Sequence, residues 1–108
     1  MIKIKENPIE GESIPMGGFD LIVPALNFRQ IKALKLDIKK MDEETDVDKK
    51  FAAQIKVIRE AMKRNYPEIE ISEVEDLVDM NNMVRVIMAV MGQSGAVLMG
   101  KPGPAVEV

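Results

Sequence analysis

The chain has 108 residues, with 15 Lys and Arg against 18 Asp and Glu and a net charge of −3. That is enough for one domain, and it lacks the basic excess of a domain that grips nucleic acid. With no Cys and no His, disulfides, thiolate nucleophiles, Cys- or His-ligated metals and Ser-His or Cys-His catalysis are excluded. Carboxylate or lysine chemistry remains, but no residue pattern assigns a catalytic, cofactor-binding or metal-binding role.

No apolar run reaches the ~20 residues of a membrane span. The start, "MIKIKENP", lacks the apolar stretch of a signal peptide, so a cytoplasmic protein with no membrane partner is expected. Aromatic residues are scarce, with three Phe, one Tyr and no Trp, while Met occurs nine times. The core must therefore be aliphatic and methionine-filled.

In chain order, "IKIK" (2–5) alternates apolar and polar residues, as a half-buried strand does. "ENPIEGESIPMGG" reads as loop because of its Pro and Gly. "FDLIV" (19–23) has strand composition and ends at Pro24, which has no N–H for a ladder. The two runs predict a short hairpin with a long loop, or an extended arm, over residues 1–26.

Asn27 is placed to cap a helix over 28–36, with Phe28, Ile31, Leu34 and Ile38 on one face. "KKMDEETDVD" (39–48) reads as a polar linker, with Thr45 or Asp46 as the next cap. Val47, Phe51, Ile55, Ile58 and Met62 form one apolar stripe and predict a helix over 47–64. Lys49, Lys56, Arg59 and Lys63 lie opposite.

That helix must stop before Pro67, so Tyr66 and Pro67 are structural turn residues. Ser72 and Glu75 fit a capping box and predict the start of the next helix. Leu77, Met80, Val84, Ile87 and Met91 suit one helix running to 92. "DMNN" (79–82) instead favours two helices, 73–78 and 82–92, the second opened by Asp79 or Asn81. Gly and Ser then end regular structure, and 99–108 read as a flexible tail. The expected fold is mainly α, a single helical domain (1–98) of three to four helices, helical over 27–95, with an N-terminal β-hairpin or arm.

Two charge groups stand out. Glu68, Glu70, Glu73, Glu75, Asp76 and Asp79 fall together without a base. They lack the spacing of a calcium loop and suit a helix N-terminus. The bases of the 47–64 helix, Lys49 to Arg64, are expected to pair with this acidic turn or with an acidic partner. The last helix is apolar on every face and rich in Met, which suits either core packing or an adaptable binding surface. Met80, Met83, Ile87 and Met91 are the candidate partner or self-association residues.

Three segments, "LIVPALNFRQIKAL" (21–34), "IREAMKRNYPEIEISEVEDLVDMNNM" (58–83) and "IMAVMGQSG" (87–95), resemble in order and spacing the small tail assembly chaperones of long-tailed bacteriophages and prophages. The motifs are Val23-Pro24-Ala25-Leu26, then Arg64-Asn65-Tyr66-Pro67, then the acidic helix start, then Gly92 to Gly95. The resemblance implies a non-catalytic holdase made in the bacterial cytoplasm. Such a chaperone keeps the tape measure protein soluble, helps tail tube protein assemble around it, and leaves before the virion is finished. It also implies a frameshifted longer product, for which Gly100-Lys101 would be a fitting slippage point. A small structural or connector protein of the virion, and a small DNA-binding regulatory protein, are the alternatives.

Overall fold

A computed structural model describes residues 10–92. The order is β1 (Glu12–Met16), β2 (Phe19–Val23), α1 (Phe28–Ala33), α2 (Lys35–Glu43), α3 (Val47–Met62), α4 (Ile71–Leu77) and α5 (Met83–Val90). The fold is mainly α, with a two-stranded antiparallel hairpin before the helices. The "IKIK" run, residues 93–98, the 99–108 tail and Gly100-Lys101 lie outside the described residues.

The hairpin differs from the expected one. The partner of Phe19–Val23 is Glu12–Met16, in register Ile14↔Leu21 and Met16↔Phe19, where the sequence reads as loop. Its connection is two residues long. Gly17 (φ 58) and Gly18 (φ 83) both lie in left-handed space, which a tight hairpin turn requires and glycine supplies without steric cost. Pro15 is tolerated because a two-stranded ribbon has only edge strands. Ile14, Met16, Leu21 and Val23 point inward and are buried.

Asn27 caps α1 as expected. Its side chain accepts from the Gln30 amide at 2.8 Å, and the Gln30 side chain accepts from the Asn27 amide at 3.0 Å. The expected apolar face is only half right. Leu34 is buried, but Phe28 is 85% exposed and Ile31 36%. The "linker" from 39 is corrected too, since α2 continues to Glu43. Ile38 and Met41 pack against the core, so two apolar anchors outweigh the polar composition. Asp46, not Thr45, caps α3, accepting from the Lys49 amide.

Along α3 the apolar stripe is covered only at its C-terminal end. Ile58 and Met62 are fully buried, while Val47 and Phe51 are 59% and 44% exposed. Beyond it, Tyr66 and Pro67 form the expected stop. The Ser72 cap is a correction, because α4 begins two residues earlier. Glu70 is its N-cap, and the Glu73 carboxylate accepts from the Glu70 amide at 2.8 Å. Ser72 and Glu75 are exposed residues of α4 itself.

Two helices, not one, fill 71–90. Asp79 Oδ1 accepts from the Asn81 and Asn82 amides, and Asn82 Oδ1 accepts from the Asp79 amide. Asn82 Nδ2 also donates to the Leu77 carbonyl at 3.0 Å. These side-chain bonds replace the helical ladder and turn the chain, as Asp and Asn do. The core is aliphatic as expected, with Ile14, Met16, Ile58, Met62, Ile69 and Val86 among its fully buried side chains.

Candidate functional site

The three segments that carry the family resemblance meet one another. Arg64 Nη1 donates to the Ala25 carbonyl, and Asn65 Nδ2 to the Ile22 carbonyl at 3.4 Å. The Tyr66 hydroxyl accepts from the Ile22 amide at 2.8 Å. The Leu26 amide donates to the Val90 carbonyl at 2.8 Å. Consecutive residues of the 64–67 turn thus cover the free edge of β2 and hold the chain leaving it. This is an architectural junction, with Asn65 and Tyr66 buried. Unpaired strand edges template unwanted association, and covering them removes that liability. Tyr66 thus serves this junction, while Pro67 is exposed and makes none of these bonds.

The open apolar surface lies elsewhere. Phe51, Gln54 and Ile55 of α3 face Glu75, Val78, Asp79, Met80 and Met83 across a cleft of about 410 Å³. Val78 and Ile55 edge the core, whereas Met80 is 79% exposed at the turn before α5. Of the four sequence candidates, Met80 and Met83 line the cleft. Ile87 and Met91 are half-buried and pack against the core instead. Phe51 and Ile55 were readable only as a core stripe. Phe51 is exposed because no described element packs over it, while Ile55 is partly buried against the core.

Gln54 is buried at 8% exposure, and its Oε1 has no hydrogen-bond partner among the described residues. An unsatisfied buried acceptor costs on the order of 1–3 kcal/mol. Glu75 and Asp79 stand on the rim.

The charges do not pair as the sequence suggested. Among the described residues none of the six carboxylates between Glu68 and Asp79 forms an ion pair. Lys56 instead pairs with Asp37 of α2 at 3.2 Å, and Lys63 sits 3.7 Å from Glu60. Arg59 Nε donates to the Ile69 carbonyl at 3.0 Å, holding the connection to α4. Arg85 reaches Glu12 at 3.1 Å, tying α5 to β1. Of the two acids lining the cleft, Asp79 is engaged by the Asn81 and Asn82 amides, and Glu75 is exposed. No three acidic side chains among the described residues converge to hold a metal ion, and no described helix is long and apolar enough to cross a membrane.

The chain matches no protein-family model, and comparison with curated proteins and with solved structures finds no match.

Proposed function

We propose that the protein is a non-catalytic tail assembly chaperone of a long-tailed phage or prophage, which holds the tape measure protein soluble in the bacterial cytoplasm while tail tube protein assembles. The observation that carries this reading is the open apolar cleft between α3 and the α4–α5 turn, lined by Phe51, Met80 and Met83. A holdase needs uncovered apolar surface on a stable body, and methionine adapts to clients of varied shape. The motif segments supply the stable body, and the cleft supplies the client surface.

Co-expression with a candidate tape measure protein tests the reading. The wild-type chain should raise its soluble yield severalfold, and Met80→Asp should abolish the gain. An unchanged yield with the wild-type chain refutes it. Purified virions should lack the protein; its abundance there would favour a virion connector instead.

A further inference from the structure

We infer, on the reading of the α3/α4–α5 cleft as the client surface, that Met80 is a site of reversible oxidation whose sulfoxide makes that cleft unfit for apolar chains. The chain has no Cys, so methionine thioethers are the only sulfur an oxidant can meet. Of the nine methionines, Met1 and Met99 lie outside the described residues. Met16 and Met62 are fully buried, and Met41, Met83, Met88 and Met91 are half-buried. Met80, at 79% exposure, is the one described methionine that stands in solvent. It also lines the cleft with Phe51, Ile55 and Met83, so the polarity of one wall depends on its thioether.

The backbone keeps Met80 outward. It is the second residue of the Asp79–Asn82 turn, where Asp79 Oδ1 accepts from the Asn81 and Asn82 amides at 2.8 and 3.0 Å and Asn82 Oδ1 accepts from the Asp79 amide at 2.9 Å. The Asp79 carbonyl accepts from the Met83 amide as well. A residue clamped between these bonds does not swing into the core, and Val78 already packs there. The oxidant is of the peroxide class. A lone pair of the Met80 sulfur attacks one oxygen of hydrogen peroxide and the O–O bond breaks. The departing hydroxide takes the proton from the new S–OH and leaves as water. The thioether has then lost two electrons to the peroxide and carries an S=O group. Neither a thiolate nor a histidine base is required. The product is polar and chiral where the thioether was apolar and adaptable, a change that disrupts methionine-rich interfaces and that sulfoxide reductases reverse, one enzyme for each epimer.

The test titrates the full chain with hydrogen peroxide. Peptide mapping by mass spectrometry reads the order of oxidation, and Nile red fluorescence reads the apolar cleft. Met80 should gain an oxygen ahead of every other described methionine. Dye binding should fall severalfold in step with it while the circular dichroism holds, and should return after treatment with both sulfoxide reductases. Met80→Leu keeps an apolar side chain at this exposed position. It should bind the dye as the wild type does and keep that binding through the same peroxide treatment. Oxidation of Met83 or another described methionine before Met80 overturns the proposal. So does dye binding that is absent from the reduced wild-type chain, unmoved by peroxide, lost only with the helical signal, or lost equally in Met80→Leu. None of these readouts uses a tape measure protein, so a cleft insensitive to peroxide leaves the co-expression outcome standing on its own.

Discussion

The backbone amide of Ile22 donates to the hydroxyl of Tyr66 at 2.8 Å, across 44 positions of sequence. A tyrosine on a turn thereby satisfies the free edge of a strand laid down much earlier. The ring is buried at 4% exposure, so its packing and its polar tip serve the same junction.

Tyr66→Phe keeps the ring and removes the acceptor. The Ile22 amide is left without its partner at a partly buried edge. Stability should fall by about 1–2 kcal/mol, read as a lower denaturation midpoint in urea with an unchanged slope.

The hairpin tip separates two glycines that look equivalent in sequence. A Cβ on Gly17 would lie 2.7 Å from Leu77 Cδ2, whereas one on Gly18 meets nothing within 4 Å. Both sit at positive φ. Gly17→Ala should lower stability by more than the ~1 kcal/mol of a left-handed alanine, and Gly18→Asn by much less. Thermal melts of the two variants should rank in that order.

Asn82 and Ser72 test where α4 and α5 are truly capped. Asn82→Ala loses the bonds to the Asp79 amide and the Leu77 carbonyl at a buried position, and should destabilise by about 1–3 kcal/mol. Ser72→Ala, an exposed change inside α4, should stay within about 0.5 kcal/mol of wild type. A large loss at Ser72 would restore it as the cap.

Gln54→Leu removes the unpartnered oxygen and leaves an apolar side chain of similar reach. Replacing an unsatisfied buried group in this way is neutral or stabilising. The melting temperature should hold or rise, and a clear fall in thermal melts would show that Gln54 is needed for packing.

Much of the fold was legible because the signals were local. Asn27 with Gln30 spelled a capping box, Pro67 had to stop α3, and the Asp and Asn of 79–82 broke a helix that apolar spacing alone would have continued. What was not legible depended on tertiary neighbours. "ESIPM" hid a strand behind a proline that only a two-stranded ribbon accepts. The polar composition of 39–43 hid a helix held by Ile38 and Met41. Val47 and Phe51 obeyed the same spacing as Ile58 and Met62, yet no described element covers them. Periodicity reports which residues share a face; it does not report whether anything packs there. The cleft was therefore only half visible, as the methionines of one wall.

The Leu26–Val90 hydrogen bond bears on the order in which this protein matures. The hairpin is synthesised first but gains its buried environment only when α3, the 64–67 turn and α5 have all emerged. At about 5–20 residues per second, its inward face stays wet for seconds on the ribosome. Closing so wide a loop costs entropy that no local contact repays. The hairpin, made before every described helix, should thus be among the last described elements to reach its buried environment.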